Sequence, residues 1–487
     1  MSMDSTFSQT PATYDYSIAK GFLISALVWG AASMLIGVWI AFSLVFPSLN
    51  MDIPWLTFNR LRPLHTNGAI FGFVLSAVFT AWYYFSQRLL KIELIHKKVA
   101  YFHLVLYNLI IVLAVLTLPL GLTSSKEYAE LQWPIDILVV IMWLCWGFNI
   151  VTMCAARREK TMYVSIWYFI ACFLGVGMLY LFNNFAIPIA LTSGFGDWYY
   201  AISAYAGTND ANVQWWWGHN AVAFVLTVPI VGISYYAIPK ACNQPIYSYK
   251  LSLWSFWGLI FVYLWAGPHH MLYSTLPDWI QTLGMVFSIM LIIPSWGSMV
   301  NLLMTVSGKW EQLKTDPVLK FLVIGSTFYG LATLEGPIQA IKSVNAVAHF
   351  TDWIIGHVHS GVLGWVGFTC IGFFYLIVPN IARKPLHSMK LAEVQFWIQT
   401  LGIVFYTTSL WIAGITQGLM WRATDSYGNL AYSFLDTVIA LKPYWILRGI
   451  GGTLYLVGFI IFFYNIVMTF RNSRNSIPDE SAIVNPV

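Results

Sequence analysis

Twelve apolar stretches, each about as long as a bilayer is thick, constrain this chain more than any other feature of its sequence. A helix needs about 20 apolar residues to cross the hydrocarbon core, where no water can bond to exposed backbone groups. Only 9% of the residues are charged, against about 25% in soluble domains. We therefore predict an all-α integral membrane protein, a bundle of 12 transmembrane helices. The predicted spans are 20–46, 64–87, 98–118, 135–155, 161–190, 215–238, 251–272, 279–305, 318–346, 352–378, 393–419 and 443–470.

The loops between these spans are short, so the sequence predicts a single polytopic membrane domain over residues 1–487, with tails at 1–19 and 471–487. The two longest loops, about 191–214 and 420–442, are expected to form either a structured cap or irregular surface loops. Lysine and arginine set the orientation, because they concentrate in cytoplasmic loops. Eighteen of the 25 lie near the termini and in alternate loops, which places both termini in the cytoplasm. The other seven are Arg60, Arg62, Lys126, Lys342, Arg422, Lys442 and Arg448.

Charge and cysteine content exclude several classes of function. The net charge of +5 is modest for 487 residues, so no nucleic acid is expected as a partner. The chain has five cysteines, and no two form a CxxC pair. It therefore carries no attachment motif for a c-type haem, and no zinc knuckle or iron–sulfur motif.

The segment Gly-His-Val-His-Ser-Gly, residues 356–361, lies near the start of the tenth span. Residues two apart on an α-helix differ in direction by about 200°, so His357 and His359 face nearly opposite sides. One metal ion cannot use both, because chelation by a helix needs a spacing of three or four residues. The pair can instead hold two separate large cofactors, although either histidine alone could be a hydrogen-bonded interior residue.

Four more histidines are predicted at the same depth as this pair. His65 begins the second span, His219 lies early in the sixth, and His269 and His270 end the seventh. With both termini in the cytoplasm, all of them fall in the outer half of the membrane. Ionisable groups inside a bilayer are costly and usually functional, so the sequence predicts a layer of ligands there.

The end of the seventh span predicts a metal site. Gly267 and Pro268 loosen the helical turn, because proline lacks an N–H and crowds the preceding carbonyl. His269 and His270 can then converge on one ion, with His219 as a third ligand. Three neutral imidazoles with one open position suit copper, and suit iron or zinc less specifically.

A haem site is predicted between the second and tenth spans. His65 and His359 could close a six-coordinate haem. Arg60 and Arg62 would then face its propionates, or they could be interfacial anchors. His357, on the other face of its helix, would hold a second haem whose far side opens toward the copper.

The histidine pattern resembles that of the catalytic subunit of the haem–copper oxygen reductases, over essentially the whole chain. Twelve spans, one histidine on the second and sixth, His-His on the seventh and His-x-His on the tenth are that superfamily's pattern. The resemblance implies a haem–copper oxidase subunit I-like fold. It also implies a division of ligands: the high-spin haem on His357, the low-spin haem on His65 and His359, and the copper on His219, His269 and His270.

The position of one tyrosine indicates the subfamily. The better-known oxidases carry a tyrosine four residues after the histidine of the sixth span, where this chain has Ala223. Tyr263 lies instead on the seventh span, as in the C-type, or cbb(3)-type, cytochrome c oxidases. The resemblance then implies that both haems are b-type, and that the Tyr263 phenol, joined to His219, supplies a proton and an electron when the O–O bond breaks.

Other residues carry weaker signals. Glu335, deep in the ninth span, is expected to support the high-spin haem ligand or handle protons, or else to make a structural hydrogen bond. His349 and Arg448 resemble residues near haem propionates, but they could be an exposed loop histidine and a snorkelling arginine. A proton path from the cytoplasm is predicted through four polar residues, each of which could instead bond two helices. They are Ser252, Ser298, Asn301 and Tyr329.

The resemblance implies a terminal oxidase that reduces O₂ to water with electrons from cytochrome c and pumps protons. Partner subunits anchored in the membrane must carry the c-type haems, and the expected location is the lipid bilayer of a bacterial inner membrane, with the haems toward the periplasm. A calcium ion near the haem propionates is left open. One alternative is a nitric oxide reductase-like subunit, and another is a haem-free transporter. Nitric oxide reductases have non-haem iron in place of copper and a glutamate where this chain has Ala223, which speaks against the first alternative.

Overall fold

A computed structural model describes residues 14–189 and 199–471. Within these ranges, 12 helices are long and apolar enough to cross a membrane, which confirms the predicted number. They are α1 Ser17–Ser43, α2 Phe58–Leu90, α3 Lys97–Leu120, α4 Trp133–Ala155, α5 Val164–Asn183, α6 Gly207–Cys242, α7 Tyr249–Met271, α8 Asp278–Thr305, α9 Pro317–Ala340, α10 Asp352–Ala382, α11 Met389–Arg422 and α12 Phe434–Arg471.

Several predicted boundaries were wrong, most of them because hydropathy marks only the part of a helix that suits hydrocarbon. α6 begins at Gly207 and α12 at Phe434, each about two turns before the predicted start. α11 continues to Arg422, so much of the predicted loop 420–442 is helical. The ninth span ends early, since Ile341 is extended and a separate short helix follows it.

Short elements connect the spans. Strands β1 (Ala186–Pro188) and β2 (Ala201–Ser203) pair antiparallel after α5, with Ile187 opposite Ile202. The remaining short helices are Pro47–Asn50, Pro54–Leu56, Trp310–Thr315 and Lys342–Ala348. Residues 1–13 and 472–487 of the predicted tails, and 191–198 of the predicted loop, lie outside the described residues.

The three helices that begin with predicted ligand histidines form the centre of the bundle. In the most apolar 18-residue stretch of each helix, 83% of the residues of α2, 94% of those of α6 and 78% of those of α10 are buried. The corresponding fraction for the other nine spans lies between 33% and 56%. The central helices are therefore enclosed by protein on nearly all sides, and the outer helices face the membrane.

Each central helix changes to a wider π-helical turn soon after its first histidine. The π segments are Gly68–Val74 in α2, Val222–Thr227 in α6 and Ser360–Gly367 in α10. Such segments are rare and are frequent at functional sites. All three lie at the same level of the bundle, directly below the histidines.

The three central helices carry equivalent residues at the same distance from their C-terminal ends. Each helix is followed by one residue in the left-handed region, namely Lys91, Asn243 and Arg383. The residues 26 positions before these ends are His65, Trp217 and His357, and those 24 positions before are Asn67, His219 and His359. Side chains at these positions interact between helices: His65 with His359 between α2 and α10, and His219 with His357 between α6 and α10. Between α2 and α6, Asn67 and Trp217 line a cavity.

Matching hydrogen bonds hold the helical hairpins that follow α6 and α10. The Asn301 side chain accepts from the Ser248 N–H and donates to the Ser248 carbonyl, both at 2.9 Å. Asn465 makes the same two bonds to Ser388, at 3.0 and 2.9 Å. Both serines cap the helix that follows them, so the two hairpins dock on the core in the same way.

Candidate metal centre

The six histidines that the sequence placed in one layer do meet at the end of the bundle where α2, α6 and α10 begin. Those of α6 and α7 form a trio, while His65 and His359 form a pair between α2 and α10. His357 lies on the opposite face of α10 from His359 and within electrostatic range of the trio. The two histidines therefore face opposite sides of their helix, as the helical period predicts; that they serve two different sites stays a prediction.

The trio has the geometry of a metal site. One ring nitrogen from each of His219, His269 and His270 lies within 4.8 Å of the others. The His219 Nδ1 and the His270 Nε2 are 3.3 Å apart, the separation of two nitrogens that bind one ion in tetrahedral geometry with bonds of about 2 Å. Three imidazoles, of which His219 is buried and the other two are partly buried, form a donor set without a carboxylate that suits copper.

The local backbone brings His269 and His270 together as predicted. At Gly267 the α-helix gives way to a 3₁₀ turn, Gly267–Met271, that carries both histidines. Gly267 is required there, because a Cβ would lie only 2.7 Å from the Trp215 carbonyl oxygen. The Trp215 indole in turn stacks on the His270 ring, with centroids 4.1 Å apart and planes 12° from parallel, and holds its orientation.

Hydrogen bonds select which nitrogen of His269 is available. The Ser288 hydroxyl donates to the Gly284 carbonyl at 2.7 Å and is also in contact with the His269 Nδ1. Because the serine proton is already used, the Nδ1 must donate, and the Nε2 keeps its lone pair for a metal. Ser288 was not singled out from the sequence, since an isolated serine in an apolar span has no pattern that marks it.

His219 and Tyr263 are neighbours, as the resemblance predicts. Their ring centroids are 5.8 Å apart. The His219 Nδ1 faces the trio, and its Nε2 is buried without a hydrogen-bond partner. A buried ring nitrogen without a partner is unusual, and here it leaves that atom available to the tyrosine.

The His65 and His359 rings are parallel within 6°, with centroids 6.4 Å apart. Each Nδ1 donates to a carbonyl, that of Ser33 at 2.7 Å and that of Ile355 at 2.8 Å. Because a carbonyl only accepts, each Nδ1 carries the proton of the neutral ring, and each Nε2 keeps its lone pair for a metal.

The carboxyl group of Glu335 lies on the Nδ1 side of the His357 ring. The Glu335 Oε2 is 3.4 Å from the His357 Nδ1. Trp353 donates to the Glu335 Oε1 at 2.9 Å, and Ser360 donates to its Oε2 at 3.3 Å. Gly336 leaves the other side of the ring free, since a Cβ there would lie 3.3 Å from the His357 Nε2. The site therefore fits a flat ligand bound through that nitrogen.

Arg60 and Arg62 make different contacts, and Arg62 lies within electrostatic range of His65. The Arg62 guanidinium bonds to Glu127 at 2.9 Å and is half exposed. Arg60 lies over Gly121 at the end of α3. Glu130, near Glu127 in the same loop, is buried and accepts a hydrogen bond from Asn67 at 2.8 Å; burial raises its pKa.

Arg448 is buried rather than snorkelling. Its Nε donates to the Tyr406 hydroxyl at 3.2 Å, and its Nη1 is 3.9 Å from Asp352. The Tyr406 ring contacts His359, with centroids 4.7 Å apart. His349 is half-buried, stacks on Phe350 and lies within electrostatic range of His269 and His270; burial lowers its pKa.

Three of the four residues predicted for a proton path lie in one buried cluster. Tyr235, which the sequence did not single out, connects them, because it accepts from Asn301 at 3.4 Å and lies beside Ser298 and Tyr329. Ser295 lies between Tyr329 and Tyr263. The fourth residue, Ser252, donates to the Tyr249 carbonyl at 2.6 Å.

Comparisons with known proteins agree with this geometry. The family described as "Cytochrome C and Quinol oxidase polypeptide I" matches residues 17–454. The chain is 47% identical to the Cbb3-type cytochrome c oxidase subunit CcoN1 of Stutzerimonas stutzeri, over 97% of this chain and 98% of that one. It is 48% identical to a cytochrome c oxidase subunit 1 homolog of Bradyrhizobium diazoefficiens, over 94% and 83%. A solved heme-copper terminal oxidase dimer matches with a TM-score of 0.75 and 16% identity, over 94% of this chain and 84% of that one.

Proposed function

The chain belongs to the cytochrome c and quinol oxidase polypeptide I family and is the catalytic subunit of a cbb(3)-type terminal oxidase, and on this premise we propose how its residues divide the work. Members of this family carry haems and copper in a multi-pass membrane subunit. The proposal concerns which residues hold each group, how protons reach it and which partners supply electrons.

His65 and His359 bind the low-spin haem b, and His357 binds the high-spin haem b. The observation that carries this division is the parallel arrangement of His65 and His359, whose Nε2 nitrogens could both ligate one iron. His357 lies on the opposite face of α10, within electrostatic range of the trio. It would hold the second haem, and His219, His269 and His270 would hold the copper.

When bound, the haem iron and the copper supply the site where O₂ is reduced to water. Tyr263 supplies a proton and an electron there, and the free Nε2 of His219 supports the expected cross-link between the two side chains. Glu335, held by Trp353 and Ser360, lies 3.4 Å from the His357 Nδ1 and would increase the electron donation of that imidazole.

Protons reach Tyr263 along the cluster of buried hydroxyls. The order that the contacts support is Asn301, Tyr235, Ser298, Tyr329 and Ser295. Ser252 begins this path, one helical turn after the hairpin contact of Ser248 with Asn301. Several of these hydroxyls are buried without a direct partner, which suits a path that ordered water completes. The same path serves proton pumping.

Arg62, His349 and Arg448 would neutralise the propionates of the bound haems. The burial of Arg448 beside Tyr406 and His359 supports its place near the low-spin haem. Glu127 and Glu130 supply oxygen ligands for a calcium ion near the propionates, since hard cations prefer carboxylates. A bound cation would also compensate the buried charge of Glu130.

The chain forms one membrane domain, with both termini in the cytoplasm and the haems toward the periplasm of a bacterial inner membrane. The distribution of lysine and arginine supports this orientation. Other oxidase subunits complete the enzyme. Because no c-type haem motif is present in this chain, partner subunits carry c-type haems that receive electrons from cytochrome c.

One experiment tests the assignment of cofactors. The purified enzyme is examined by reduced-minus-oxidised spectra with and without carbon monoxide, together with elemental analysis. We expect two b-type haems, one of which binds carbon monoxide, and about one copper per two haems. Non-haem iron in place of copper would favour nitric oxide reduction instead, and the absence of a b-type band would reject the haem sites.

A further inference from the structure

A cavity of about 490 Å³ lies between α2 and α6 and is enclosed further by α1, α3, α4 and α5. Its walls include Asn67 and Phe71 on α2, Ala114 on α3 and Trp217 on α6. We call it the lateral cavity. Its volume is in the range of small-molecule sites, which is roughly 300 to 1,000 Å³.

The lateral cavity lies between two of the three central helices. A pair of histidines lies between α10 and each of these two helices, whereas the cavity has Asn67 and Trp217 at the corresponding positions. The Asn67 amide already donates to Pro63 and Glu130. Asparagine and tryptophan are not haem ligands, so the cavity wall at this level offers no ligand for a haem.

Most of the side chains that line the cavity are apolar. Most of its few polar side chains already have partners within the protein. The Tyr107 hydroxyl donates to the Gly72 carbonyl at 2.8 Å, the Trp143 indole donates to Phe173, and Ser33 donates to Gly30. Water needs two to four polar partners, and this surface does not supply them. The occupant must therefore be apolar.

One side of the cavity opens toward the membrane. Leu144 on α4 and Leu174 and Leu181 on α5 line it and are 56% to 61% exposed on the outside of the bundle. At this depth the surroundings are lipid hydrocarbon. An apolar void loses dispersion contacts along its walls, and an entering chain restores them.

We propose that the lateral cavity binds the hydrocarbon chain of a membrane lipid, inserted between α3, α4 and α5 until it reaches α2. Such a chain would pack against Phe71 and Leu75. These residues belong to a central helix that the other helices separate from the bilayer. The inference depends on the cavity and its opening, and it holds however the haems are assigned.

The test uses the whole oxidase in lipid nanodiscs that contain a phospholipid with a photoactivatable diazirine in its acyl chain. After illumination, labelled residues are mapped by peptide mass spectrometry. We expect labels at Phe71 and Leu75 on α2, in addition to outward-facing residues such as Leu144. Labels confined to the outward-facing residues would overturn the proposal.

A pair of variants on α3 provides the control. Ala114→Phe places a ring inside the cavity, while Leu116→Phe places the same ring on the outside of the same helix, where Leu116 is exposed. We expect Ala114→Phe to reduce labelling of α2 about tenfold and Leu116→Phe to leave it unchanged, both with normal haem content. Unchanged α2 labelling in Ala114→Phe would reject the site. If this variant does not retain haem, Val140→Phe on α4 fills the same cavity.

Discussion

The imidazole rings of His65 and His359 face each other across 6.4 Å and are parallel within 6°, although 294 residues separate them in the chain. Backbone carbonyls hold both Nδ1 atoms, so contacts within the protein fix the direction of both rings. Such preorganisation by outer contacts is what makes a metal ligand set selective and tight.

Gly37 on α1 is expected to be essential for the low-spin haem. A Cβ at this position would lie 2.5 Å from the His65 ring, so Gly37→Ala must displace the imidazole. Overpacking of this kind costs about 1 to 3 kcal/mol. We expect haem to be retained about 5- to 150-fold less tightly, measured as the low-spin b-type signal per protein during detergent washing. Gly452→Ala is the control, because its Cβ would lie 3.6 Å from its nearest neighbours.

Ser288→Ala should weaken the copper site. Without the hydroxyl, the His269 Nδ1 loses its partner and the ring loses its orientation. Loss of such an outer contact typically lowers metal affinity about 10- to 100-fold, and copper per protein after dialysis against a chelator measures it. Ser288→Thr, which keeps the hydroxyl, should retain copper. Equal copper in Ser288→Ala and wild type would contradict the role of this serine.

Tyr263→Phe should abolish turnover while leaving the metals in place. The variant keeps the ring but removes the phenol that donates the proton, a role worth about 10²- to 10⁴-fold in rate. O₂ consumption measures the loss, and the carbon monoxide spectrum with copper analysis checks that the site is intact. Tyr273→Phe serves as control, since that hydroxyl donates to the Lys342 carbonyl on the exposed surface. Normal turnover in Tyr263→Phe would remove the tyrosine from the mechanism.

Glu335→Gln should raise the reduction potential of the high-spin haem. The substitution keeps an acceptor for Trp353 but removes the negative charge 3.4 Å from the His357 Nδ1, and a less basic axial imidazole stabilises the oxidised iron less. A redox titration of the haem that binds carbon monoxide measures the shift. Trp353→Phe should move the potential in the same direction by a smaller amount, because it releases the carboxyl without removing it. A purely structural role would leave both potentials unchanged.

Glu130 should make stability depend on pH. Burial raises the pKa of its carboxyl above 4.5 in the folded state, so the folded protein binds the proton more tightly than the unfolded chain. The stability from this group is complete below pH 4.5 and is lost as pH rises through the folded pKa. Thermal unfolding in the presence of a chelator should show this loss, and Glu130→Gln should not. Calcium should raise the unfolding temperature of the wild type near pH 7 but not that of Glu130→Gln.

Glu311→Gln is the matched control for this last prediction. Glu311 is 86% exposed and pairs with Lys314 on one short helix. A surface pair of this kind contributes about 0 to 1 kcal/mol. The thermal stability of Glu311→Gln should therefore depend on pH as that of the wild type does. If Glu311→Gln and Glu130→Gln changed this dependence equally, the effect would not be specific to Glu130.

Much of the site was predictable because the membrane reduces the choices that a sequence has. Ionisable residues are rare in hydrocarbon, so six histidines near the same ends of four spans stood out without any contact information. The Gly-Pro before His269 likewise indicated a loosened turn, which the structure has as a 3₁₀ turn. Helix boundaries were predicted less well, because α6 and α12 extend beyond the part of each helix that suits lipid.

The sequence by itself determined the 12 spans, the depth of the histidines and the opposite directions of His357 and His359, since all three follow from hydropathy and helical period along one segment. Tertiary structure alone decided which surfaces meet. It placed Asn67 and Trp217 on the wall of one apolar cavity, brought Tyr235 next to Asn301, and placed Ser288 beside His269. These contacts join helices far apart in the chain, and they depend on how the π segments and the bundle orient each face, which no local pattern encodes.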